Sequence, residues 1–220
     1  METIDLTFLD AAFKGITTTP YILIVANSPQ KTEFLEHLLK ASSQVLAADG
    51  AGDIVSQFST NFRLIGDFDS VSQNTADIQG DTYKDNSEST TDVEKCITHA
   101  KQFFTWQIIV YNAFGGRMDH TLYNVFLAGK NPGVIFLNDQ NVTLSIHGNT
   151  IIKPNVQATH FGYFPFKDCH VKTKGLVWDI DEQVSWDGLV SACNLKDNSK
   201  GEYIEFETLG NLFIIMSWQI

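Results

Sequence analysis

Hydrophobic positions follow two different rhythms along the chain, and the change comes near residue 142. In the first part, continuous apolar runs alternate with stretches of helical spacing. Tyr21–Ala26 (YILIVA) is apolar throughout, as a strand covered on both faces of a parallel sheet must be. TEFLEHLLKAS follows, with Phe34, Leu35, Leu38 and Leu39 spaced to line one helical face. Val45–Ala48, Phe62–Ile65, Gln107–Tyr111 and Val134–Leu137 read as further short buried strands. DVEKCITHAK sets Val93, Cys96, Ile97 and Ala100 at i, i+3, i+4 and i+7, with Thr91 or Asp92 placed to cap that helix; Leu122–Ala128 is another. Strands separated by helices predict βαβ units and a mostly parallel sheet.

The second rhythm is that of short strands. TLSIHG, TIIKP, ATHFGYFPF, VKTKGLVWDI, EYIEFETL and LFIIMSW are β-branched and aromatic, are broken by Gly, Asp, Asn and Pro, and lack a helical period. They predict an all-β domain over 143–220, a sandwich or a barrel, following an α/β domain over 1–142. Trp178 and Trp186 read as core aromatics of this second domain, and the polar run DNSESTTD as a loop.

Composition narrows the partners. Against 15 lysines and arginines stand 26 acids, a formal charge of −11. That balance excludes a nucleic-acid binder, which needs a basic face to replace counterions, and an anionic membrane surface. Cys96, Cys169 and Cys193 form no CxxC pair and give neither a disulfide framework nor a zinc set. METIDLTFLD lacks the basic start and apolar run of a signal peptide, and no apolar stretch is long enough to span a bilayer. A cytoplasmic protein is expected.

The acids are not spread evenly. Between Asp49 and Glu94 ten acids face two bases, Arg63 and Lys84, so this segment carries −8 of the −11. Asp49 and Asp53 follow the strand VLAA, Asp67 and Asp69 follow FRLI, and Asp119 follows QIIVY through the turn NAFGGRM. Ligands of parallel sheets bind beyond the carboxyl ends of the strands, so three strands deliver carboxylates to one edge. In an extended GDFDS, Asp67 and Asp69 point to the same side, about 7 Å apart. Two bare carboxylates at that distance repel by about 2 kcal/mol at an effective dielectric of ~20, so a cation is called for. Oxygen-only ligands suit Mg²⁺, which binds through one or two carboxylates together with substrate phosphates. Taken alone, GDFDS reads as a surface turn; acids at three strand ends favour the metal.

GGRMDH (Gly115–His120) adds paired glycines that permit close approach to a ligand and, in Arg117, a fork suited to phosphate oxygens, although an ordinary salt-bridged turn fits the same residues. ADGAGD resembles a phosphate turn but is neither GxGxxG nor Walker A. No nucleophilic triad can be assembled, and the GxSxG elbow is absent.

ADGAGD, LIGDFDSV, TTDVEKCI and FGGRMDHTLYNV, followed by KGLVWDI and SACN in this order, resemble the thiamine pyrophosphokinase family from about residue 46 to 194. The resemblance implies a Rossmann-like α/β domain and a C-terminal β-sandwich, joined in a homodimer that holds thiamine between subunits. It implies Mg²⁺-dependent transfer of pyrophosphate from ATP to the thiamine hydroxyl, giving thiamine diphosphate and AMP. It places Asp67, Asp69 and Asp92 at the metal and the chemistry; general-base chemistry then expects Asp92 or Asp69 to accept or orient the hydroxyl proton. Asp49, Gly50, Arg117, Asp119, His120 and Asn124 fall beside the nucleotide, and Asp49, Asp92 and Asp119 complete an acidic ring. Trp178, Ser191 and Asn194 fall on the thiamine side, which removes Trp178 from the core. Two positions depart from the family pattern: Asp53 stands where an amide is usual, and Ser89 where an Asp is usual, with Asp85 or Glu88 as nearby substitutes. Residues before 20 have no counterpart. DFDSV also fits the opening of Mg²⁺-dependent aspartyl-phosphate phosphohydrolases, and a non-catalytic thiamine or nucleotide binder is the further alternative.

Overall fold

A computed structural model describes residues 1–28, 33–78, 81–156, 158–188 and 191–218; the side chains of 76–78 and 191–192 lie outside this description. The chain parts into two compact units. The α/β unit comprises Ala12–Asn124 and Ile135–Asp139, and the β unit Met1–Ala11, Val125–Val134 and Gln140–Ile220.

In chain order the elements up to residue 139 are β1 (Glu2–Asp5), α1 (Phe8–Ala12), β2 (Tyr21–Val25), α2 (Leu35–Ala41), β3 (Gln44–Ala48), α3 (Ala51–Val55), β4 (Arg63–Gly66), α4 (Gln73–Ile78), β5 (Thr82–Lys84), α5 (Asp92–Phe103), β6 (Gln107–Tyr111), α6 (Met118–Lys130) and β7 (Ile135–Leu137). In the α/β unit, strands in the order β7-β6-β2-β3-β4-β5 pair in parallel throughout. β2 is buried along its whole length, as its unbroken apolar run requires, whereas every residue of the edge strand β5 is exposed. From β2 the chain steps outward through β3, β4 and β5, then returns to the other side of β2 for β6 and β7. The order therefore reverses between β2 and β6, and the crevice of an open α/β sheet lies beyond the carboxyl ends at such a point. α5 buries Val93, Cys96, Ile97 and Ala100, and Thr91 caps it by accepting from the Glu94 N–H at 3.4 Å.

The β unit continues with β8 (Asn141–His147), β9 (Thr150–Lys153), β10 (His160–Pro165), β11 (Cys169–Lys174), β12 (Asp181–Val184), β13 (Ser191–Leu195), β14 (Ile204–Thr208) and β15 (Asn211–Ser217). One group runs β1-β9-β14-β11-β12, the other β13-β10-β15-β8, and all pairings in it are antiparallel except β1 with β9. β11 alternates, with Cys169, Val171 and Thr173 inward and His170, Lys172 and Lys174 outward. The ring of Tyr163 on β10 meets Phe206 on β14 edge-on at 5.8 Å.

Three expectations need correction. A single cut at 142 is not how the chain packs: β1 pairs with β9 and so belongs to the β unit. Trp186 is 68% exposed, because it sits on the turn that follows β12, where no strand face covers it. GDFDS is not extended: Phe68 takes φ +70 and the chain bends between the two aspartates.

Candidate active site

A cleft of about 900 Å³ opens at the reversal point of the α/β unit, within the size range of small-ligand sites. Ala26–Ser28 after β2, Ala48–Gly50 after β3, Ser70 after β4, Thr91–Val93 at the head of α5 and Asn112–Ala113 after β6 line it. Ile54 on α3, Gly115–Arg117, His120 and Asn124 complete the wall.

The bend at Phe68 builds the carboxylate cluster. Ligand oxygens of Asp49, Asp67 and Asp69 all lie within 4.8 Å of one another, closer than an extended GDFDS allows. Asp49 is buried at φ +41; its Oδ2 accepts from the Ser70 N–H at 3.0 Å, while its Oδ1 is buried without a partner. Burial raises the Asp49 carboxyl above its ordinary value; the neighbouring charges of Asp92 and Asp67 add to this, against the hydrogen bond from Ser70. Asp69 is exposed and accepts from the Ser70 hydroxyl at 2.7 Å.

Glycine makes the approach possible. A Cβ on Gly66, at φ +153, would lie 2.8 Å from Asp49 Cβ and 3.2 Å from Asp92 Oδ1. One on Gly50 would meet Asn27 Nδ2 and, at 3.2 Å, the Ser70 carbonyl. Asp92 thus stands beside the cluster, with its Oδ1 bonded to Lys95 Nζ at 2.9 Å. Burial pulls the Lys95 ammonium down, but the bond and charge of Asp92, with Asp67 and Asp85, more than reverse it.

The remaining sequence-derived residues are distributed as follows. Asn124 is buried and donates to the Ala113 carbonyl at 2.6 Å, holding the turn after β6. Arg117 and His120 line the cleft, but Arg117 forks onto Asp119 at 3.1 and 2.6 Å. Asp119 is exposed, is not among the lining residues, and is lowered to about 2 chiefly by the Arg117 hydrogen bonds; it does not join the cluster of Asp49, Asp67 and Asp69. In the β unit, Asn194 is buried and brackets Trp178: its Oδ1 accepts from the Trp178 N–H at 3.2 Å and its Nδ2 donates to the Trp178 carbonyl at 2.8 Å. The Trp178 ring is left 58% exposed, and the Ser191 side chain lies outside the described residues. Asp53 does not line the cleft but binds Ser72. Ser89 pairs with Ser87 at 2.9 Å; of its two substitutes Glu88 is exposed, while Asp85 donates its N–H to the Gly66 carbonyl at 2.8 Å.

Sequence reasoning missed Lys95, Asn112 and Ser28. Lys95 had a signal, since DVEK places it three residues after Asp92, one helical turn along. Asn112 takes φ +66 directly after β6, and its Oδ1 and the Ser28 Oγ are buried without partners on the cleft wall.

Two family models match in sequence order: the catalytic domain of thiamin pyrophosphokinase over residues 35–134 and its vitamin B1 binding domain over 149–209. Thiamine pyrophosphokinase 1 of Arabidopsis thaliana is 28% identical, covering 84% of this chain and 82% of its own. Thiamine pyrophosphokinase 2 of the same plant is also 28% identical, covering 69% of this chain; the chain spans 63% of that relative's length. Among solved structures, thiamin pyrophosphokinase from Candida albicans superposes with a TM-score of 0.78 at 17% identity, over 99% of this chain and 93% of the other. The mixed α/β, sheet-rich fold is shared, both family models match in order, and the chain belongs to the thiamin pyrophosphokinase family.

Proposed function

We infer that the chain transfers the pyrophosphoryl group of ATP to the hydroxyl of thiamine, forming thiamine diphosphate and AMP. The observation that carries this is the triple carboxylate cluster beyond the carboxyl ends of β3 and β4 in a parallel sheet, inside the span matched by the catalytic-domain model. In the reaction the thiamine oxygen bonds to the β-phosphorus, the bond from that phosphorus to the α,β-bridging oxygen breaks, and the hydroxyl proton passes to a carboxylate, Asp69 or Asp92. Gly50 and Gly115–Arg117 let the polyphosphate approach backbone, and Arg117 offers its fork once it exchanges Asp119 for phosphate.

A divalent cation fits the residues present: the donors are all oxygen, and Asp49 Oδ1 is buried with no partner of its own. We assign it as Mg²⁺, which Asp67 and Asp69 would hold with Asp49 and Asp92 as neighbouring acids and which would supply charge neutralisation of the polyphosphate. The remaining acidity suits the cationic thiazolium. Trp178, braced by Asn194, supplies an exposed ring for thiamine, and Ser191 lies on the same strand as Asn194. A Rossmann-like α/β domain, a β-sandwich and a homodimer with a shared site complete the reading, supported by the parallel order β7-β6-β2-β3-β4-β5, the Tyr163–Phe206 contact and the exposed Trp178. A cytoplasmic setting belongs to it as well; among the described residues no helix is long and apolar enough to cross a membrane. The phosphohydrolase reading is not favoured, since DFDSV follows the third strand of the unit, not the first.

The test is AMP release from Mg-ATP with and without thiamine. Thiamine-dependent AMP is expected, and Asp69→Asn should lower it at least about a hundredfold while leaving the melting temperature unchanged. Phosphate release without thiamine, or full turnover in Asp69→Asn, would sink the assignment.

A further inference from the structure

Asp53 lies one turn of α3 beyond Asp49 and outside the cleft, yet it is bonded to the segment that bears the metal-site acids. Its Oδ2 accepts from the Ser72 N–H at 2.9 Å and its Oδ1 from the Ser72 hydroxyl at 2.7 Å. Asp49 accepts from the Ser70 N–H at 3.0 Å. The two acids therefore hold alternate N–H groups of the chain leaving β4. Ser72 Oγ also reaches Thr75 Oγ1 at 3.2 Å and accepts from the Thr75 N–H at 3.4 Å, which ties the same point to the first turn of α4.

The packing beneath this link is tight. A Cβ on Gly52 would lie 2.8 Å from Leu64 Cδ1 and 3.3 Å from Val71 Cγ2, so α3 sits hard against the segment it holds. The segment needs holding, because Phe68 at φ +70 is a conformation that a bulky residue adopts only when its surroundings impose it. Asp53 also behaves as a bonded carboxylate: burial would raise it, but the bonds from Thr75 and Ser72 bring it below its ordinary value.

We propose that Asp53 is a positioning residue of the metal site: by clamping Ser72 it stabilises the bend at Phe68 that brings Asp69 to Asp67 and Asp49. Only its activity readout rests on the function inferred above. The test compares Asp53→Ala and Asp53→Asn in the full chain by Mn²⁺ titration followed by electron paramagnetic resonance, by melting in EDTA, and by the metal dependence of AMP formation. Loss of two charge-assisted bonds in Asp53→Ala should weaken Mn²⁺ binding about tenfold and raise the half-saturating metal concentration equally. At saturating metal its kcat should stay within about threefold, because no reacting group is lost. Asn keeps a carbonyl for the Ser72 N–H and an amide that can donate to Ser72 Oγ, so Asp53→Asn should return Mn²⁺ affinity to within about twofold. Asn as damaging as Ala would show that the charge acts and not the clamp; unchanged Mn²⁺ affinity in Asp53→Ala would overturn the proposal outright. Should Asp53→Ala not fold, Ser72→Ala removes the hydroxyl bond alone and should weaken Mn²⁺ about threefold, with no change again overturning it. Absence of thiamine-dependent AMP from the unsubstituted chain would count against the functional reading, while the Mn²⁺ comparison still decides on Asp53.

Discussion

Replacing Gly66 by Ala should damage the protein at the point where strand geometry and charge meet. The added methyl would lie 2.8 Å from Asp49 Cβ and 3.2 Å from Asp92 Oδ1. Asp49 Cβ cannot swing away, since it is fixed to a backbone already at φ +41 and its carboxylate holds Ser70. Overpacking of this kind costs about 1–3 kcal/mol, and a side chain at φ +153 adds about 1 kcal/mol, giving roughly 2–4 kcal/mol in all. At roughly 2–4 °C per kcal/mol for a chain of this length, the melting temperature should fall by about 5–15 °C. Gly148→Ala is the control: its φ is +77, but nothing lies within 4 Å of the added methyl. That variant should lose only the conformational part, about 2–4 °C. Thermal unfolding followed by circular dichroism in EDTA reads both. A Gly66→Ala chain that melts within about 2 °C of the unsubstituted protein, or no lower than Gly148→Ala, would refute the close approach of β4 to Asp49 and Asp92.

Other substitutions separate stability from function. Lys95→Met removes the buried cation bonded to Asp92; it should cost about 2 kcal/mol in EDTA, partly restored by Mg²⁺, and an equal loss with and without metal would contradict the charge balance drawn here. Asp49→Asn bears on pH. The folded-state pKa of Asp49 is raised, so the group favours folding below the ordinary carboxyl range, and that contribution is lost as pH rises through the folded value. Metal-free Asp49→Asn should therefore melt above the unsubstituted chain at neutral pH, the gap narrowing as pH falls toward about 4, and a lower melting point at neutral pH would refute this. Asn194→Ala strips the Trp178 N–H and carbonyl of their partner; the thiamine KM should rise about tenfold with kcat changed far less, and an unaltered KM would remove Trp178 from the thiamine side.

Elements whose burial is dictated by a single local pattern were legible in the chain. β2 is an unbroken apolar run and β6 is one from Ile108 onward, and α5 shows its stripe and its Thr91 cap without help from tertiary structure. α3, α4 and β5 have no such stripe, because at five, six and three residues they are too short to show one. The site divides in the same way. Acids after β3 and β4 could be placed together from strand order alone, since parallel strands all end on one edge. The bend at Phe68 could not, because positive φ in a phenylalanine is imposed from outside the motif. Arg117 looked like a free phosphate fork, yet a carboxylate two residues along occupies it.

The parallel pairing of β1 with β9 also sets an order of events during synthesis. Glu2 is matched with Thr150, so β1 waits for its partner strand β9 until some 148 residues later. At a translation rate of about 5–20 residues per second, that is a wait of roughly 7–30 s. Before then both parts of the α/β unit, Ala12–Asn124 and Ile135–Asp139, have been made. The unit carrying the carboxylate cluster can thus fold before β1 is paired with β9, and a strand made ahead of that unit finds its place only after it.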